Sequence, residues 1–111
     1  MGDTFMLNPE EIINKIKEIE NNIIKIKQEL SNIKDKMTEV RLPIEEAIYN
    51  DKSLKNADMR RIALEKALNS NPTYKHLKDQ EKQLTFDLNT KYNMLHYYQN
   101  LFEIWKNKGG V

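Results

Sequence analysis

Few residues of this chain combine the type and the spacing that chemistry requires. His76 and His96 are its only histidines and stand twenty residues apart, about 30 Å along a single helix. That is too far to share a metal. His76 with Asp79 or Gln80 has the i,i+3 or i,i+4 spacing of helical metal ligands, but the set is incomplete. Glu10-Glu11 and Glu45-Glu46 are adjacent acids, and neighbours in a helix point to different sides, so neither forms a general acid/base pair. The chain has no cysteine, which removes thiolate chemistry and cysteine-ligated zinc. Its glycines are Gly2, Gly109 and Gly110, none of them in a phosphate-cradling loop. The expectation is no catalytic residue, no cofactor and no metal.

Basic residues offer a second kind of chemistry. Arg60 and Arg61, with Lys55 before and Lys66 after, make a small basic face at one short segment. Farther on, Lys75, Lys78, Lys82, Lys91, Lys106 and Lys108 alternate with tyrosines, a mixture able to hold phosphates and stack bases. Asp79, Glu81, Asp87 and Glu103 are interleaved with them. Across 111 residues, 18 Lys and Arg stand against 17 acids, a net charge of +1. Nucleic-acid binders usually show a basic excess or stripe. Contact through Arg60, Arg61 and Lys66 is therefore an alternative and not the favoured reading.

The elements that position these residues announce themselves by period. Ile12, Ile16, Ile19, Ile23, Ile26, Leu30, Ile33, Met37, Val40 and Ile44 step by four and three in strict alternation. That is the 3.5-residue repeat of a coiled-coil seam. With Ile16, Ile23, Leu30, Met37 and Ile44 at position a, the flanks carry Lys15, Glu20, Lys27, Glu29 and Lys34, a mixed-charge border. Asn8-Pro9-Glu10-Glu11 reads as a helix start, with a cap, Pro at the first position and acids at the positive end of the dipole. Leu7 and Ile12 are placed for a hydrophobic staple, and residues 1–7 read as a short arm. Pro43 predicts a kink or restart, so the first helix is expected over 8–42 with a continuation over 43–50.

A shorter amphipathic helix is expected over 56–69, capped by Asn56 and stopped before Asn71-Pro72. The same pair opens a last helix over 72–107, ended by Gly109-Gly110. Its own seam runs through Tyr74, Leu77, Glu81, Leu84, Leu88, Lys91, Leu95, Tyr98, Phe102 and Trp105. Folding the chain back keeps the two seams in step, with Ile23 against Leu95, Leu30 against Leu88 and Val40 against Leu77. Lys91 and Glu81 are the defects, with Glu29 and with Lys34 or Lys36 as compensating charges. No segment has the period of a strand. The fold class expected is all-α, a single domain built as an antiparallel two-helix coiled-coil hairpin. The short third helix lies near its closed end. Isoleucine at both a and d favours more than two helices per bundle, so an oligomer is expected.

Beside the last seam runs a second apolar stripe: Met94, Tyr97, Leu101 and Ile104, again stepping three and four. The short helix spans only about 20 Å and should lie at the other end, unable to cover it. With Ile13, and with Ile24 near it, the stripe should form an exposed strip of the kind that marks an interface. Self-association and the binding of a different protein both follow from it, the first favoured. No run approaches the ~20 apolar residues of a membrane span.

Asn56-Ala57-Asp58-Met59-Arg60-Arg61-Ile62, continuing through Leu68 to Asn71-Pro72-Thr73-Tyr74-Lys75-His76-Leu77, carries a pattern seen elsewhere. It resembles small α-helical accessory proteins of bacteriophages and prophages encoded near single-strand annealing recombinases. These have a long first helix, a short arginine-bearing helix, and a polar-Pro-x-Tyr start to a long last helix. This chain is richer in Asn and Ile, and less acidic in its last helix, than that pattern. The resemblance implies a non-enzymatic protein in the cytoplasm of a bacterial host. It would act on recombination or host-defence machinery, inhibition included. A recombination accessory that binds nucleic acid and a purely structural homo-oligomer are the alternatives.

Overall fold

Three helices account for nearly all of the chain in the computed structural model, which describes residues 8–108: α1, Pro9–Tyr49; α2, Ala57–Asn69; and α3, Pro72–Asn107. No strand occurs among the described residues. The arm at residues 1–7, the Leu7 staple and the Gly109-Gly110 stop lie outside them.

Each helix starts on an asparagine. The Asn8 side-chain oxygen accepts from the Glu11 backbone N–H at 2.8 Å, and the Asn8 amide donates to the Glu11 carboxylate at 2.9 Å. Asn56 accepts from the Met59 backbone N–H at 2.8 Å, and Asn71 from the Tyr74 backbone N–H at 2.9 Å. An unpartnered donor in the first turn is thus satisfied three times by the same side-chain chemistry.

α1 runs through Pro43 without a break, so of the expected kink or restart the restart does not occur. Proline removes one backbone donor and leaves the carbonyl of Glu39 without its partner. Glu39 and Pro43 are both exposed, so water can take that carbonyl. The nominal 8–42 and 43–50 segments are one helix.

The chain is all-α and divides into two compact units. One joins α1 up to Gln28 with α3 from Phe86; the other is Glu29–Thr85. In the first, Ile19 and Ile23 of α1 and Leu95 of α3 form the core, with Ile16, Leu88, Tyr92 and Tyr98 packed against it. In the second, the buried residues are Leu30 and Ile33 of α1, Leu68 of α2, and Tyr74 and Leu77 of α3. Every seam residue named from the sequence is buried or half-buried, Glu81 and Lys91 included.

The connector between α1 and α2 is held by short polar contacts. Ser53 donates to the Asp51 carboxylate from its backbone N–H at 2.9 Å and from its hydroxyl at 2.7 Å. These bonds, the hydroxyl's first, hold the Asp51 pKa below its ordinary 3.8. Because the folded value is lowered, the contribution is present above the ordinary value and fades as pH falls through the lowered one. Ser53→Ala should move the Asp51 titration back towards 3.8, read by carboxyl NMR.

The seam makes a sharper expectation. Ile19 is 2% exposed and Ile24 56%. Ile19→Ala should cost about 2–5 kcal/mol in urea unfolding, from lost burial and the cavity left behind. Ile24→Ala should stay within about 0.5 kcal/mol.

Candidate interaction surface

α3 of the first unit carries the residues of interest. Met94 is 38% exposed, Tyr97 59% and Ile104 50%, with Leu101 half-buried between them. The stripe proposed from spacing is therefore continuous and open along one side of the helix. Its base is anchored: the Tyr97 ring meets the seam residue Tyr98 edge-on, centroids 5.2 Å apart. Phe102 and Trp105 pack on each other at 5.7 Å. These rings hold the exposed side chains on an ordered surface.

The stripe is longer than its spacing first suggests. Phe86, 67% exposed, and Thr90 extend the same face by steps of four. Thr90 gives its hydroxyl to the Phe86 carbonyl at 3.0 Å, so that polar group is already satisfied. Sequence reading missed Phe86 because it stands alone between Thr85 and Asp87. Stepping back from Met94 through Thr90 would have found it.

Ile13 does not join the stripe. Lys27 Nζ lies 5.6 Å from the centroid of the Tyr92 ring. Lys27 and Tyr92 each directly follow a d position, so in an antiparallel pair this flank of α1 faces the like flank of α3. Ile13 also follows a d position, and Ile24 lies one step farther round the same side. Met94 and Leu101 instead precede a positions, on the opposite flank. Ile13, 38% exposed, and Ile24 form a separate small apolar spot. The spacing alone could not distinguish these flanks, because the direction of the partner helix decides them.

Arg60, Arg61 and Lys66 sit in the second unit, and two of the three are engaged. Arg60 is half-buried and donates to the Leu54 carbonyl at 3.2 Å, tying the connector to α2. Arg61 pairs with Glu65 at 3.3 Å on the exposed side of the same helix. Lys66 is exposed in the last turn of α2. Arg60 and Arg61 line a shallow groove with Ile48, Tyr49, Leu64 and the acidic Glu45, not an unopposed basic patch. Glu81, on the seam, opens onto another groove lined by Lys34, Arg41 and Lys78. Lys34, one of the two cations expected near it, lines that groove, and Arg41 and Lys78 add two more. The ion pairs Lys15–Glu18, Arg41–Glu45 and Arg61–Glu65 each lie within one helix.

His76 and His96 are both exposed. Among the described residues no three of His, Asp and Glu are gathered as metal ligands, and no helix is long and apolar enough to cross a membrane. In comparisons with known proteins, no family model, no curated protein and no solved structure matches this chain.

The two arginines should separate cleanly in stability measurements. Arg60→Ala removes a half-buried charged donor and should cost about 1.5–3 kcal/mol. Arg61→Ala removes an exposed pair, with side chains 60% and 62% accessible, and should cost no more than about 1 kcal/mol. Urea unfolding monitored by circular dichroism distinguishes the two.

Proposed function

We propose that this protein is a non-enzymatic helical interaction protein that works by protein–protein contact through the exposed face of α3 in its first unit. One observation carries the reading. Phe86, Met94, Tyr97 and Ile104 stand open to solvent while the seam next to them is buried at Leu95 and half-buried elsewhere. Aromatic residues and methionine are enriched, and charged residues depleted, at the centres of protein interfaces. Contiguous exposed apolar surface on a soluble chain marks an interaction site.

The resemblance of residues 56–77 to phage accessory proteins supports a setting for that contact. Its partner would belong to recombination or host-defence machinery of a bacterial host, and binding would modulate or inhibit that machinery. The engagement of Arg60 with Leu54 and of Arg61 with Glu65 lends nothing to a nucleic-acid role.

The test is capture from host lysate with tagged wild-type protein and with the double variant Tyr97→Glu, Ile104→Glu. Both positions are at least half exposed, so helix content should survive. The captured partner should be lost with the variant. An unchanged set of captured proteins would show that the stripe is not the interface.

A further inference from the structure

The face around the stripe is unusual in what it lacks. The whole chain is 32% charged, yet from Leu88 to Phe102 the only Asp, Glu, Lys or Arg is Lys91, half-buried on the seam. The rim of the stripe away from α1 carries mostly amides, Asn93, Asn100 and Asn107 at one heptad position and Asn89 at the next, which it shares with His96 and Glu103, all exposed. A helix face meant for water in so charged a protein would carry charges. A face meant for a charged partner would carry them too, since electrostatic complementarity steers and orients such contacts.

The spacing of the stripe is also its own complement. Laid antiparallel on a second copy, Phe86 meets Ile104, Thr90 meets Leu101, and Met94 meets Tyr97. Each pairing then occurs twice about a two-fold axis that passes near Leu95. A two-fold contact brings one patch against itself, so like charges on that patch would face each other. From Leu88 to Phe102 this face has none, and Asp87, one heptad before Met94, borders it at one end. Amides suit the arrangement because each carries both donor and acceptor. On the outer rim, Asn93 of one copy falls near Asn100 of the other.

We propose that the stripe is a self-docking surface. Its occupant is a second copy of this chain, joined through antiparallel α3–α3 contact about a two-fold axis near Leu95. The first unit contains parts of only two helices, α1 and α3; two copies would assemble four around one core, the packing of a small helical bundle. Isoleucine at both a and d of α1 fits that number better than a two-stranded coil. This inference rests on the reading of the stripe as a protein-contact surface and puts a second copy there in place of the host protein.

Sedimentation equilibrium of the full chain at about 100 µM, a range that reports micromolar association, gives the first measurement. The mass expected is twice 13.2 kDa. Two double variants at exposed rim positions then report the geometry without touching either seam. Asn93→Glu with Asn100→Glu puts like charges across both rims and should weaken the dimer at least about ten-fold. Asn93→Glu with Asn100→Lys puts opposite charges across both rims and should keep or tighten it. Circular dichroism confirms the helices in each. A monomer at about 100 µM overturns the proposal; so does a dimer that both variants affect alike. A monomer whose stripe still captures another protein overturns the self-pairing alone. A monomer that also captures nothing through the stripe overturns the broader interaction reading as well.

Discussion

The rest of the structure depends on the burial of one row of α1 isoleucines and leucines against α3. Helices of 41 and 36 residues that carry this much charge owe most of their stability in water to packing along an apolar face. Each buried aliphatic side chain contributes roughly 1.5–3 kcal/mol relative to exposure. The strict alternation of four and three keeps that row facing its partner for the length of the helix. Ile19 and Ile23 meet Leu95 in the first unit; Leu30, Ile33, Tyr74 and Leu77 are buried in the second. The asparagine caps decide where each helix starts. The seam decides that they stay together.

A seam between two helices has a cost that explains the local irregularities. No large side chain among the described residues falls below 2% exposure, and Ile19 and Ile12 come closest. Nearly every seam position keeps an edge in water. Glu81 can therefore occupy a seam position beside a groove lined by Lys34, Arg41 and Lys78. Lys91 can remain half-buried on the seam of the first unit. The same thinness lets α1 pass through Pro43, because the carbonyl that loses its partner is already at the surface.

These features differ in how legible they are from residue order. Seam positions, the Asn8, Asn56 and Asn71 caps and the limits of α2 and α3 follow from local spacing and local hydrogen-bonding capacity, and the structure has them where the spacing places them. Three features depend on something spacing does not contain. The continuity of α1 past Pro43 depends on solvent access to one carbonyl. The engagement of Arg60 depends on the connector bringing the Leu54 carbonyl within 3.2 Å. The separation of Ile13 from Met94 depends on the direction of the partner helix, which the Lys27–Tyr92 contact reveals. The stripe itself was legible from Met94 to Ile104. Phe86 was not, because an isolated apolar residue acquires meaning only once its neighbours on the helix face are known to be exposed.

The two units also differ in how many helices they have with which to cover apolar surface. The second has α2 in addition to parts of α1 and α3, and Leu68 of α2 is buried there with Leu30, Ile33, Tyr74 and Leu77. The first has no third helix of its own. It is in this unit that α3 turns a second apolar stripe outward and the sequence keeps a single Asp, Glu, Lys or Arg, Lys91, over fifteen residues. Had those residues evolved only to face water, the charge density of the rest of the chain would be expected to continue through them. Its absence, at the place where the fold is one helix short, ties the composition of α3 to the architecture around it. The apolar stripe of α3 stays open in the unit that has no third helix to lay over it.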